Sequence, residues 1–213
     1  MPLTTKGASI HTNSWVRNPK KIFVGANRPL FPEGTYRHTN DVKSAYALTA
    51  LGLLFPLSAQ ADVFQVNPGN YRDRLPNLQP GDELVLASGD YQRGLPIDNL
   101  NGTAGAPIII RGPADKSARI YGRSCCNTIS IVNSSYVTIQ NLTLDQNGQF
   151  VDGVKAEGHS NYAHHIVLED IVMFNFAAEQ QVVGVSTKCP AWDWEIRRIE
   201  IRDVGTGMYL GNA

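Results

Sequence analysis

Val137-Thr-Ile-Gln-Asn-Leu-Thr-Leu144, Ile166-Val-Leu-Glu-Asp-Ile-Val-Met173 and Trp194-Glu-Ile-Arg-Arg-Ile-Glu-Ile201 decide the fold of this chain. Each octet has apolar residues at positions 1, 3, 6 and 8. Alternating positions share one face of a strand, so 1 and 3 face a core together, as do 6 and 8. The break between 3 and 6 predicts a bend that resets the alternation. Shorter triplets extend the series toward the N-terminus. Its rungs are Leu84/Leu86, Ile108/Ile110, Val137/Ile139, Ile166/Leu168 and Trp194/Ile196, with steps of 24, 29, 29 and 28 residues.

A second series runs between the first: Leu95/Ile97, Ile129/Ile131, Val154/Ala156, Val183/Val185 and Met208/Leu210. Two interleaved series in constant order describe a chain that coils, each turn stacking its strands on the turn before at about 4.8 Å. Gly, Asn, Asp and Pro between the strands supply the corners. An antiparallel sandwich would need hairpins of about two to five residues and strands every 8 to 12 or so. It would not repeat an octet nearly 30 residues on. The sequence therefore predicts an all-β parallel β-helix, a solenoid of about five coils with two separate sheets. Val137, Ile166 and Val183 face its core, and Thr138 and Lys155 point out.

Three stretches carry a resemblance. Pro80-Gly-Asp-Glu-Leu-Val-Leu-Ala-Ser-Gly-Asp-Tyr91, Asn101-Gly-Thr-Ala-Gly-Ala-Pro-Ile-Ile-Ile-Arg-Gly112 and Ser134-Ser-Tyr-Val-Thr-Ile-Gln-Asn-Leu-Thr-Leu144 resemble recurring segments of secreted bacterial right-handed parallel β-helix proteins of the pectin-lyase-like superfamily. The right hand comes from this resemblance, which covers about residues 62 to 212. Residues 69–78 form a candidate N-terminal cap with at least one helical turn. No cap follows the last rung, so the chain is expected to be truncated at its C-terminus.

The early chain differs in kind. Residues 1–61 hold seven Lys/Arg and two Asp/Glu, and the remainder holds 12 and 17. VKSAYALTALGLLFPLSAQA, residues 42–61, has one Lys, an apolar stretch and an A-x-A end. That is the layout of a secretory signal peptide. Residues 1–41 read as a disordered segment translated from upstream, with a Val start at residue 42. Residues 62–213 are then an incomplete β-helix domain, secreted or periplasmic and monomeric. No stretch after residue 61 is long and apolar enough to span a bilayer. A mildly acidic body argues against a nucleic-acid partner and leaves room for a polysaccharide.

In the lyases of the resembling superfamily, substrate lies along the outside of one sheet. The second series is the candidate. Its outward positions are Pro96, Ser130, Lys155, Gly184 and Tyr209, followed two residues on by Asp98, Val132, Glu157, Ser186 and Gly211. Elimination on a uronic-acid polymer needs a base at C5 and a positive group against the neighbouring carboxylate. Lys155, Tyr209 and Lys188 are the candidate catalytic set. Glu157, Trp192 and Arg197 are candidates for substrate binding, Trp192 by stacking on a sugar and Arg197, beside Arg198, by binding a carboxylate. His159 lies at the same end of the strip as Glu157 and Lys188. Ordinary solvated charge is the competing account of each.

Ca²⁺ is an alternative neutraliser, with no ligand set assigned. Of His164-His165, one faces out and the other packs at a corner; Trp194 packs in the core. The superfamily's hydrolase motifs NTD, DD, GHG and RIK are absent, as is the pectate-lyase W-x-D-H. Two functions remain open. One is a lyase-like protein acting on or binding an extracellular acidic polysaccharide. The other is a non-catalytic surface-binding or structural module. Cys126 and Cys189 belong to strands two coils apart and are not expected to bond to each other.

Overall fold

The computed structural model describes residues 60–158 and 162–211. The expected signal peptide and the expected upstream segment lie outside the described residues, apart from Gln60 and Ala61, as does His159. Along the chain come β1 (Val63–Val66), α1 (Tyr71–Arg74), a 3₁₀ turn (Leu75–Asn77), β2 (Glu83–Leu86), β3 (Gly89–Tyr91), β4 (Leu95–Asp98) and β5 (Ile108–Arg111). There follow β6 (Ala118–Tyr121), β7 (Ile129–Val132), β8 (Ser135–Asp145), β9 (Val154–Glu157) and β10 (Ala163–Phe174). The last are β11 (Val183–Ser186), β12 (Ala191–Trp192), β13 (Glu195–Arg197), β14 (Glu200–Ile201) and β15 (Thr206–Tyr209).

Every strand pairing is parallel and joins one coil to another. The first series builds a ten-stranded sheet, and the second a five-stranded sheet in the order β4-β7-β9-β11-β15. The five rungs of the second sheet bound about four turns. The count of about five coils from sequence tallies rungs, which outnumber turns by one.

The bend predicted inside the octets is a single left-handed residue. Asn141, Asp170 and Arg198, position 5 of each octet, have φ of 57°, 53° and 52°. β8 and β10 run through the bend, so the ten-stranded sheet has two legs. Ile110, Ile139 and Leu168 stack in the first; Ile120, Leu144 and Met173 stack in the second. Two more corners repeat the device, at Tyr136/His165/Asp193 and at Asn147/Asn175/Asp203. Asn and Asp tolerate this conformation because a short polar side chain bonds the local backbone. Asp145 does so from just outside a corner, its carboxylate accepting from Asn147 N and from Asn175 Nδ2, both at 2.9 Å.

Inside the coil, Leu84, Ile97, Ile110, Ile131, Ile139 and Leu168 are fully buried. Each such side chain contributes on the order of 1.5–3 kcal/mol. Val137, Ile166 and Val183 are buried and Thr138 and Lys155 are half-buried, as the alternation requires. Tyr71, Leu75 and Leu78 of the N-terminal cap are buried, the first two within α1 and the 3₁₀ turn. In the last described rung, Met208 and Leu210 have a stacked neighbour on one side only and stay exposed. Trp194 is half-buried for the same reason, its Nε1 donating to Ala163 O at 3.0 Å.

The register differs from the sequence in two places. Leu84 stacks on Ile110, not Ile108. Val185, not Val183, stacks on Val154 and Met208. Both are shifts of two residues, which keep the same face inward because the side-chain period is two. For the second there is a visible cause. The observed register lines up Gly153, Gly184 and Gly207. A Cβ on Gly153 would lie 2.6 Å from Gly184 O, and one on Gly184 2.5 Å from Gly207 O. Positions 153 and 184 therefore have no room for a side chain. Cys125, Cys126 and Cys189 are all free.

Candidate functional site

The outer face of the five-stranded sheet carries one column. Pro96 pairs with Ser130, Ser130 with Lys155, Lys155 with Ser186, and Ser186 with Tyr209. The shifted register thus corrects the predicted strip: Gly184 is buried in the glycine ladder, and Ser186 takes its place between Lys155 and Tyr209. Ser186 is fully buried, and its Oγ has no hydrogen-bond partner.

Lys155 Nζ lies 4.0 Å from Asp152 Oδ2. Asp152 is itself fixed, accepting a hydrogen bond from Val183 N at 2.9 Å. Lys188 Nζ sits 5.8 Å from the centroid of the Tyr209 ring, a cation–π contact. Lys155 and Lys188 line one recess of about 370 Å³ together with the exposed ring of Phe150. Lys188 and Tyr209 line the next. A third recess, reached past Cys125, Cys126 and Asn127, holds Arg72, Arg123 and Glu157. The recesses share residues and form a groove along the sheet. The three predicted catalytic candidates and Glu157 all line it. Glu157 Oε1 accepts from Asn127 Nδ2, and Asn127 Oδ1 accepts from Asp152 N at 3.1 Å.

Trp192 and Arg197 are not brought to this groove. Both belong to the ten-stranded sheet. Trp192 stacks on His164, the rings 4.6 Å apart and 8° from parallel. His165 stacks on Tyr136 at 4.3 Å and faces Asp193. The two imidazoles meet through their Nδ1 atoms at 2.7 Å, and both are half-buried, with His165 at the corner. Burial, and then the neighbouring His165, hold the His164 pKa below the ordinary imidazole value. Arg197 is tied to Glu169 and Glu195.

Arg72, Arg123, Asn127 and Asp152 line the groove without having been singled out in the sequence. Arg72 sits in the cap and the other three in connections that follow no period, where alternation says nothing. One signal was available: Arg123 and Asn127 bracket the Cys125-Cys126 pair.

The carboxylates nearest Lys155 do not suit a calcium ion. Asp152 and Glu157 line different recesses, and each is already bonded to the protein. Among the described residues no group of three or more His, Cys, Asp or Glu converges as a metal site, and no helix is long and apolar enough to cross a membrane.

No family model matches the chain, and no curated protein matches it. Among solved structures it is similar to the PL6 family alginate lyase AlyGC, with 20% identity and a TM-score of 0.50 over 62% of this chain and 18% of that one. A point mutant of that enzyme gives 18%, 0.50, 64% and 19%. A mannuronic acid specific polysaccharide family 6 lyase from human gut microbiota gives 19%, 0.46, 62% and 32%. The chain therefore spans under a third of each of these, and what it shares with AlyGC is the parallel β-helix fold.

Proposed function

We propose that this chain is an exported β-helix protein that takes an extracellular acidic polysaccharide along the groove of the five-stranded sheet and cleaves it by lyase-type β-elimination. One observation carries the proposal. Among the described residues, Arg72, Arg123 and Lys188 in the groove have no carboxylate within ion-pair distance, and Lys155 has one only at 4.0 Å. On the ten-stranded sheet, Arg111, Arg119, Arg197, Arg198 and Arg202 all have one. A set of cations along one groove, three of them without a carboxylate partner, suits a linear polyanion. AlyGC, whose fold the chain shares, bears the name of an alginate lyase, which agrees with this choice of substrate class.

The chemistry needs the C5 proton removed while charge builds on the adjacent carboxylate. Lys188 and Tyr209 lie close enough to act on one sugar, one as the cation at the carboxylate and the other as base or acid. Lys155 stands two rungs from Tyr209, roughly 10 Å along the column, and is assigned to the carboxylate of a neighbouring sugar or to the base role there. The same separation favours a second reading, a non-catalytic binding module, because a base and an acid so far apart do not flank one glycosidic bond.

Incubating the full chain with alginate, pectate and glycosaminoglycans separates the readings. A rise in unsaturated-uronate absorbance supports elimination. Binding without that rise supports the module. Neither on any acidic polymer rejects both. Mass spectrometry of exported protein is expected to find Asp62 at the N-terminus, and a mature protein beginning at Met1 overturns export by the 42–61 segment.

A further inference from the structure

The recess at the N-terminal end of the groove is built differently from the rest. Tyr71 is fully buried, and its Oη donates to Gly94 O at 2.7 Å. Gly94, at φ 60°, leaves space that the Arg123 side chain fills. A Cβ there would stand 2.8 Å from Arg123 Nε and 2.9 Å from Nη2. Arg123 Nε is buried and has no hydrogen-bond partner. Arg72 is fixed from the other side, its Nη1 donating to Arg93 O at 2.7 Å. Neither guanidinium has a carboxylate within ion-pair distance among the described residues. Across the recess, which encloses about 420 Å³, stand Pro96, Ser130 and Glu157, the last held by Asn127.

We propose that Arg72 and Arg123 form a uronosyl subsite that binds the carboxylate of one sugar of the chain lying in the groove. It rests on the reading of this groove as the polysaccharide-binding face. The lining is complementary to such a sugar on three sides. Two guanidinium groups face the carboxylate, the geometry for which Arg is suited. Glu157 accepts from a sugar hydroxyl, and Ser130 accepts from or donates to one. Pro96 gives the apolar face of the ring a surface. The volume falls in the range of small-ligand pockets. Gly94 and Tyr71 hold Arg123 in place before any ligand arrives, so little ordering is left to binding. The subsite lies at the β4–β7 rungs, one to two rungs or roughly 5–10 Å from Lys155, and so takes a sugar next along the chain from the one at Lys155.

Titration calorimetry of the full chain with tetragalacturonate, tetramannuronate and their carboxyl-reduced counterparts tests this. Arg123→Gln and Arg72→Gln are each expected to weaken binding of an acidic tetramer by about tenfold or more. Neither is expected to change the weak binding of the reduced tetramers. Arg123→Lys is expected to recover part of the loss. Circular dichroism checks that each variant is folded, and if Arg72→Gln unfolds, Arg123→Gln carries the test. Unchanged affinity in the Arg variants alongside a loss in Lys188→Ala overturns the subsite and leaves the groove standing. Equal affinity of the unsubstituted chain for acidic and reduced tetramers overturns the groove reading and the subsite with it. A sulfated neutral tetrasaccharide bound as tightly as the uronates overturns the assignment to a carboxylate.

Discussion

The two outer faces of this coil handle charge in opposite ways. On the ten-stranded sheet, Arg197 lies directly across from Glu169, Arg111 reaches Glu83 diagonally, and Arg198 forms two bonds of 2.9 Å to Asp170 on the bend one coil earlier. On the five-stranded sheet, Arg72, Arg123 and Lys188 line the surface with no such partners. Coiling brings residues nearly 30 positions apart to within one rung, and opposite charges across a rung stabilise a sheet while like charges do the reverse. A face with only a structural task is expected to pair its charges. One that leaves a row of cations open makes sense when a polyanion completes it.

The largest effect is expected where that difference has chemical consequences. Lys188→Ala or Lys155→Ala should lower turnover of a uronic-acid polymer by about 10²–10⁴-fold if each acts as the proposed base or acid. Arg197→Ala, on the other face, should leave turnover within about twofold, since its exposed ion pairs contribute little. Equal losses from both faces in an absorbance assay would break the contrast.

Beneath the surface the two faces are alike, and a second measurement sharpens that. Ile131 behind the groove and Ile139 behind the paired face are both fully buried in one core. Either substitution to Ala should cost about 2–5 kcal/mol in denaturant unfolding. A cost confined to one side would mean that the sheets do not share a core.

The bend belongs to the ten-stranded sheet. Asn141 at φ 57° should accept Gly with little change, whereas Asn141→Val should lose about 1–2 kcal/mol. Smaller still, Arg198→Ala should cost no more than about 1 kcal/mol, measured as a midpoint shift that high salt reduces.

The smallest effect concerns pH. His164 has a folded pKa below its ordinary value of 6.5. Between the two values the unfolded chain binds more protons, so stability rises with pH there. The contribution is complete above about 6.5 and is lost as pH falls through the folded value. His164→Gln should flatten this slope in thermal melts at several pH values. A slope of the opposite sign would mean that protonation tightens the imidazole pair.

What the sequence determined by itself is the coil. Alternation is local, and the octets at Val137, Ile166 and Trp194 state both which side chains face inward and where the chain bends. Asn141 and Asp170 mark that bend because the residues there must tolerate a positive φ. Lys155, Lys188 and Tyr209 were legible as candidates because they stand on or beside a strand whose outward positions are known. Tertiary structure decided three things. It set the register of β11, where a two-residue shift keeps every face unchanged and only the close approach of Gly153, Gly184 and Gly207 distinguishes the choices. It separated Trp192 and Arg197 from the groove, since a candidate's corner or leg fixes the direction it faces. It brought Arg72 and Arg123 together from the cap and an aperiodic loop, 51 residues apart in the chain. No periodic signal connects two such positions, because their meeting depends on how the cap lies over the first coil.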